Sequence, residues 1–249
     1  MNPERTELEW TYDPKDLFET PYHHSNAEVE VVFDGGRALG TLKTPTASVS
    51  ADLEERVRVL VESILAVRQL QVHRAFSLSG PAIYQHSAGR KDVSIRLTGV
   101  VALAAVGRVD VAVRDAAGNV LRDSKAERIA QESDLLDVVS PKLACSPILR
   151  GLFESYSRSV SDPADELVHL YEIRDGLSAH YGGEAAVRKA LRISKADWQR
   201  LGLLANIEPL VQGRHRGKHS GGQRVATRAE LEDARRLVRE WIIAFACTV

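Results

Sequence analysis

The sequence predicts an α+β protein, in which an N-terminal antiparallel-sheet module with one long helix is followed by an all-α C-terminal module. Two patterns lead to this fold class. Between residues 28 and 123, short runs of alternating apolar and polar residues are separated by turn residues, as in strands. From Ser124 onward, apolar residues recur every three or four positions, as in helices.

These patterns divide the chain into three parts. Residues 1–27 are predicted to be an irregular acidic arm, because prolines and aromatic residues interrupt any regular period there. Residues 28–124 form the predicted α+β module, and residues 125–249 form the predicted helical module. A chain of 249 residues is long enough for two domains of this size.

The α+β module begins with a hairpin signal. Val29, Val31 and Phe33 share one face and alternate with Glu28 and Glu30, and "DGG" follows as a turn that tolerates positive φ. Ser50 then precedes a helix over residues 51–72, whose apolar positions fall on one face. The remaining strand predictions are residues 81–87, residues 92–97 and a hairpin over residues 108–124.

The helical module is delimited by proline, glycine and capping residues. The first two predicted helices are 125–139, stopped by Pro141, and 146–160. Asp162-Pro163 opens the next helix, and Gly182-Gly183 ends it. Two short helices follow, at 184–191 and 195–205. A capping box from Thr227 to Glu230 opens the last helix.

Composition favours a bacterial cytoplasmic protein. Its 25 arginines against eight lysines fit a GC-rich genome. Cys145 and Cys247 have no metal-type spacing, and we expect free thiols in a reducing compartment, with no metal or cofactor. The first residues do not resemble a signal peptide, and no apolar run is long enough for a membrane span.

The charge is unevenly distributed along the chain. Residues 1–50 hold nine acids and four bases, whereas residues 182–249 hold seven acids and thirteen bases. A basic C-terminal part is typical of a surface that meets phosphate. The alternative is that the two ends neutralise each other within the fold.

The strongest concentration of positive charge lies in a loop predicted over residues 207–226. Such a long connection between two helices is more often functional than accidental. We expect its cationic side chains to contact RNA or DNA phosphates, while the alternative is a solvated connector. These side chains are Arg214, His215, Arg216, Lys218, His219 and Arg224. The loop resembles one in a family of uncharacterised bacterial proteins with a C-terminal helical module, which implies no activity.

A second candidate lies in "EAAVRKALRISKADWQRLGLL", which resembles the helix-turn-helix of bacterial DNA-binding proteins. Leu191, Ile193, Ser194 and Trp198 fit that pattern. Arg192 replaces the usual turn glycine, and Arg188 replaces a small residue. The resemblance implies that Lys195, Gln199 and Arg200 face a DNA groove, and the alternative is a plain helical hairpin.

A third candidate is "RDGLSAHYG", which resembles the Arg-x(4–6)-His motif of HEPN-superfamily ribonucleases. The resemblance implies metal-independent RNA cleavage by a homodimer, with Arg174 holding phosphate and His180 transferring protons. Arg68–His73 and Arg214–His219 also have spacings that the motif permits, so the helical context alone singles out this pair. A continuous helix would place Arg174 and His180 about 120° apart, so catalysis requires a break near Gly176.

The leading hypothesis is therefore an intracellular bacterial protein that binds nucleic acid through its basic loop. The first alternative is a HEPN-like ribonuclease that uses Arg174 and His180. The second alternative is a non-enzymatic interaction protein, whose acidic arm and basic tail contact each other or a second copy.

Overall fold

The computed structural model describes residues 5–44, 49–87, 90–95, 112–114, 120–214 and 222–249. It has the predicted α+β fold, with an antiparallel sheet in the N-terminal part followed by helices. The chain forms two compact units, residues 1–141 and residues 142–249.

A six-stranded sheet forms the framework of the first unit. All of its neighbouring strands pair antiparallel, in the order β2-β3-β4-β1-β5-β6. The strands are β1 (Arg5–Asp13), β2 (Tyr22–Ser25), β3 (Val29–Asp34), β4 (Arg37–Leu42), β5 (Ser77–Ser87) and β6 (Arg90–Ile95).

The prediction of an irregular arm over residues 1–27 is wrong. β1 lies inside the sheet, where it pairs with β4 on one edge and β5 on the other, and β2 pairs with β3. Leu8, Trp10 and Tyr12 of β1 alternate along the strand and are buried. The period-two signal was therefore present, but the neighbouring prolines and aromatic residues concealed it.

The first predicted hairpin is confirmed. β3 and β4 pair from Val29 opposite Leu42 to Asp34 opposite Arg37. The turn consists of Gly35 and Gly36, whose φ angles are 53° and 87°. Both angles lie in the left-handed region, which residues with a Cβ rarely adopt, so the two glycines fix the hairpin register.

The predicted helix over residues 51–72 is also confirmed, as α1 (Ala51–Val72). The Ser50 side chain caps it by accepting a hydrogen bond from the Leu53 amide at 3.2 Å. α1 packs on the sheet, since a Cβ on Gly40 of β4 would lie 3.5 Å from Val57. Its apolar stripe therefore covers the sheet face that carries Leu8 and Val31.

The second block of predicted strands is partly described. Residues 81–87 lie in β5, and the strand predicted over 92–97 corresponds to β6 as far as residue 95. The hairpin predicted over 108–124 contains β7 (Ala112–Arg114) and β8 (Val120–Asp123), which form a separate two-stranded sheet. Its predicted turn lies outside the described residues.

The boundary between the units differs from the predicted one at 124/125. α2 (Ser124–Cys145) continues through Pro141, so the prediction that this proline stops the helix is wrong. Burial of Val139 and Leu143 on either side stabilises the helix despite the missing amide donor. Most of α2 belongs to the first unit, and the division falls after Pro141.

A buried arginine holds α2 against the rest of the first unit. Arg68 of α1 donates to the Leu17 carbonyl oxygen at 2.7 Å, to Gln71 at 3.1 Å and to Glu132 of α2 at 2.6 Å. Its guanidinium also lies over the ring of Phe18. One side chain therefore joins the central helix, a loop and α2, at a position where an unpaired charge is costly.

The second unit contains the described helices after α2. They are α3 (Pro147–Ser161), α4 (Glu166–Tyr181), α5 (Glu184–Ala190), α6 (Lys195–Gly202), a single π-helical turn (Leu203–Ile207) and α7 (Arg228–Ala246). Among the helices of the described ranges, none is long and apolar enough to cross a membrane.

The helix boundaries of this unit follow the predicted caps with one exception. Gly182 ends α4 with a φ of 78°, and Thr227 with Glu230 forms the capping box of α7. However, Asp162-Pro163 does not open α4. Asp162 instead ends α3 by donating its amide to the Arg158 carbonyl oxygen at 2.8 Å, and α4 begins three residues after the proline.

A buried ion pair joins the start of α4 to α7. Glu166 is 1% exposed and accepts two hydrogen bonds from Arg235, at 2.5 Å and 2.7 Å. The two-pronged geometry fixes both the position and the rotation of α7 along α4. It therefore orders the helices that carry the candidate site described below.

We predict that breaking the buried pair of the first unit is far more damaging than breaking an exposed one. Glu132→Ala leaves the charge of Arg68 buried without its carboxylate, and we expect a loss of about 3 kcal/mol of unfolding free energy. Glu55→Ala, which removes an exposed partner of Arg58 on α1, should cost less than about 1 kcal/mol. Urea unfolding followed by circular dichroism measures both, and equal losses would contradict this account of Arg68.

Candidate nucleic-acid interface

The basic loop leaves the π-helical turn through a short anchored segment. The Arg214 amide donates to the Ala205 carbonyl oxygen at 2.8 Å, and the Gly213 amide donates to the Leu210 carbonyl oxygen at 3.0 Å. A Cβ on Gly213 would lie 3.1 Å from the Ala205 oxygen. The glycine at this position thus allows the loop backbone to pack closely against the π-helical turn.

The returning end of the loop is anchored beside the outgoing end. The Val211 amide donates to the Arg224 carbonyl oxygen at 3.0 Å, and the Arg224 amide donates to the Pro209 carbonyl oxygen at 2.9 Å. The buried Gln212 side chain accepts a hydrogen bond from the Ala226 amide at 3.0 Å. Both ends of the loop are therefore fixed to one another before α7 begins.

A column of aromatic rings and guanidinium groups lies beneath the outgoing anchor. Trp241 of α7 stacks on Trp198 of α6, with ring centroids 5.2 Å apart. Arg174 of α4 lies over Trp198 at 4.6 Å and over Tyr171 at 4.9 Å. Arg214 lies over Tyr171 at 4.6 Å, so the column extends from the core to the root of the loop.

Arg174 is the internal guanidinium of this column. Its side chain is only 15% exposed, and it donates to the Tyr171 hydroxyl at 2.7 Å. A carboxylate oxygen of Glu184 lies 3.9 Å from its guanidinium. A Cβ on Gly202 would lie 2.9 Å from the Arg174 guanidinium, so the small residue at this position makes room for it. Aromatic faces therefore provide much of the stabilisation of this cation.

Arg214 is the outer guanidinium of the column. Its edge donates to Asp175 at 2.9 Å, and its side chain remains 36% exposed. Asp175 and Tyr171 both belong to α4, so a single helix fixes the orientation of the Arg214 guanidinium. A cation held in this way is presented at the surface with little freedom left to lose on binding.

Arg224, a predicted phosphate-binding residue, has a structural role instead. It donates to both carboxylate oxygens of Glu230, at 2.7 Å and 2.8 Å, and it lies 3.5 Å from Glu208. Glu230 in turn accepts from the Thr227 amide at 2.8 Å as part of the capping box. Arg224 therefore fastens the loop to the start of α7.

The other predicted loop residues, His215, Arg216, Lys218 and His219, lie outside the described residues. Elsewhere in the unit, several arginines already have acidic partners. These pairs are Arg188 with Glu184, Arg200 with Asp233, Arg228 with Glu232, and Arg236 with Asp233 and Glu240. The basic excess of residues 182–249 is thus partly neutralised on the helices.

Arg174 and His180 are not brought together within this chain. α4 is continuous through Gly176, so the break required by the ribonuclease interpretation does not occur. Six residues of continuous helix separate the pair by about 9 Å along the axis and about 120° around it. Arg174 packs between Trp198 and Tyr171, whereas His180 is exposed and meets the edge of Phe245 at 5.2 Å. The geometry gives Arg174 a packing role.

The segment with helix-turn-helix resemblance does form two helices, α5 and α6. The Ser194 hydroxyl caps α6 by accepting from the Asp197 amide at 3.0 Å, and it donates to the Asp197 carboxylate at 2.7 Å. Arg192, which replaces the usual turn glycine, adopts a φ of 55°. Trp198 is buried in the column described above, so the apolar signature is explained by packing.

Sequence reasoning identified the loop but missed the column beneath it. The only signal was that Arg174 lies on the apolar stripe of its helix, where a solvated arginine is unexpected. Tyr171, Trp198 and Trp241 are distant in sequence, and no periodicity links them. Among the described residues, no group of three acidic, histidine or cysteine side chains could hold a metal ion.

Comparison with known proteins adds no relative of this chain. No family model, no curated protein and no solved structure matches it.

We predict that Arg224 controls the acidity of Glu230. Its hydrogen bonds lower the pKa of Glu230 from 4.5 to about 2, and those from Thr227 act in the same direction. Because the folded pKa is the lower one, this stabilisation is present above pH 4.5 and is lost as the pH falls towards 2. Arg224→Gln should move the Glu230 pKa towards its ordinary value, as measured by carboxyl NMR titration. An unchanged pKa in that variant would contradict the assigned role of Arg224.

Proposed function

We propose that the second unit binds nucleic acid through the basic loop between the π-helical turn and α7. The observation that carries this proposal is the fixed root of the loop, where Arg214 is held over Tyr171 at 4.6 Å and against Asp175 at 2.9 Å. A mobile solvated connector needs no such anchoring. A loop that presents cations to a ligand benefits from it.

Sequence supplies the chemistry that would act there. Between Glu208 and Glu230 the chain has no acidic residue, while it has Arg214, Arg216 and Lys218. Two histidines, His215 and His219, add hydrogen-bond donors to the same stretch. Cations concentrated in one loop neutralise successive phosphates of a polyanion and release its counterions, which drives binding.

The helix-turn-helix interpretation makes a competing proposal for the same unit. It would place the contact at α6, with Lys195, Gln199 and Arg200 facing the groove. Three exposed cations lie on and between α5 and α6, namely Lys189, Arg192 and Lys195. These three cations carry the same total charge as Arg214, Arg216 and Lys218. Replacing one set or the other therefore compares two surfaces at equal change of net charge.

We predict that the loop triple variant, Arg214→Ala, Arg216→Ala and Lys218→Ala, loses most of its salt-dependent binding. Three phosphate contacts to duplex DNA give a log–log slope of roughly −2.7, and to a single strand roughly −2.1, so the variant's slope should approach zero. Binding is measured by fluorescence anisotropy of labelled strands across salt concentrations. The fold should be retained, because exposed pairs such as Arg214–Asp175 contribute little stability.

The control is Lys189→Ala, Arg192→Asn and Lys195→Ala, with asparagine chosen because it tolerates the positive φ of Arg192. We expect this control to keep most of the wild-type slope. A larger loss in the control than in the loop variant would favour the helix-turn-helix surface. Absence of wild-type binding at low salt would leave the interaction-protein interpretation. Metal-independent degradation of the RNA probe would favour the ribonuclease.

A further inference from the structure

The column that ends at Arg214 has a second property, which concerns the kind of nucleic acid that would bind. Planar groups follow one another from Trp241 through Trp198, Arg174 and Tyr171 to Arg214, at spacings of 4.6–5.2 Å. Trp198, Arg174 and Tyr171 each contact a member of the column on both sides. Trp241, at the inner end, is buried in the core of the unit. Arg214 is the member at the surface, and its side chain is 36% exposed.

The guanidinium of Arg214 is held in a way that suits stacking. Tyr171 lies against it, and Asp175 accepts a hydrogen bond from its Nη1 atom. An edge-on carboxylate does not cover the planar face of the guanidinium opposite Tyr171, in contrast to a carboxylate or phosphate placed above the plane. Planar arginine groups are surfaces on which unpaired nucleobases stack.

Exposed apolar side chains flank the same anchors. Ile207 ends the π-helical turn and is 63% exposed, while Val225 follows Arg224 and is 66% exposed. Val211, whose amide bonds to the Arg224 carbonyl oxygen, is also exposed. Such side chains bring no charge to a phosphate, but they can exclude water from the edge of a base.

From these observations we infer that the ligand is a single-stranded nucleic acid, one of whose bases stacks on the Arg214 guanidinium and extends the column. The inference rests on the proposed function and makes it more specific, because duplex bases are already stacked on one another and are not available to Arg214. It applies to RNA and single-stranded DNA alike, since both expose the same base faces.

The test separates the base from the phosphate by comparing two strands of equal charge. One is a single strand of about 12 adenine nucleotides, within the usual range of site sizes, and the other is the abasic strand of the same length. We expect the wild-type protein to bind the adenine strand about tenfold more tightly, as measured by fluorescence anisotropy. RNA and DNA versions of the adenine strand are measured side by side.

The variant Arg214→Lys keeps the charge and removes the planar group. We expect this variant to lose most of the tenfold difference in affinity between the adenine strand and the abasic strand. The salt dependence of binding should stay near that of the wild type. The matched control is Arg228→Lys, the same change at an exposed arginine of α7 that pairs with Glu232. This control should keep the tenfold preference for the adenine strand. Tyr171→Leu, which removes the support beneath Arg214, should reduce it as Arg214→Lys does.

The outcomes distinguish this inference from the function on which it rests. Equal, salt-sensitive binding of the adenine and abasic strands would overturn base stacking but support polyanion binding. Equal affinity for duplex and single strands would also overturn base stacking and support polyanion binding. Absence of binding to every strand at low salt would overturn both. A preference for the adenine strand that persists in Arg214→Lys would show that a base is recognised elsewhere, and would overturn the role given to Arg214.

Discussion

The second unit depends on one unusual arrangement, a guanidinium held between two aromatic rings. Arg174 reaches inward from α4, and its charge is stabilised by Trp198 and Tyr171, with Glu184 at a distance of 3.9 Å. This contact joins α4 to α6, and the stack of Trp198 on Trp241 extends it to α7. The elements on both sides of the basic loop are thereby linked through a single column, so the loop root has a defined position.

Charge in this unit is divided between two tasks. Arg235, Arg224 and Arg236 meet carboxylates and hold helices or caps in place. Arg214 is also paired, but it lies at the surface end of the column, where its orientation is fixed and part of its side chain remains exposed. Counting cations along the sequence cannot separate these tasks, because the acidic partners of Arg235 and Arg214 are 69 and 39 residues away.

Local signals allowed much of the fold to be predicted. The Gly35-Gly36 turn, the Ser50 cap and the Thr227 capping box each act within a few residues, and all three are found where predicted. The predictions that are wrong depend on distant contacts. β1 is a strand because β4 and β5 lie on either side of it, and α2 passes through Pro141 because its flanks are buried. The column beneath the loop was equally unpredictable, since it joins residues of three helices.

The central claim is that nucleic acid contacts this unit at the surface end of the column. Backbone NMR with an adenine single strand tests it most directly, since the spectra report every contacted amide without any mutation. The account predicts that the largest shift changes occur in the loop, at Arg214, Arg216 and Lys218, and at Tyr171 and Asp175 beneath its root. Largest changes at the turn between α5 and α6, around Arg192 and Lys195, or in residues 1–141, would contradict it.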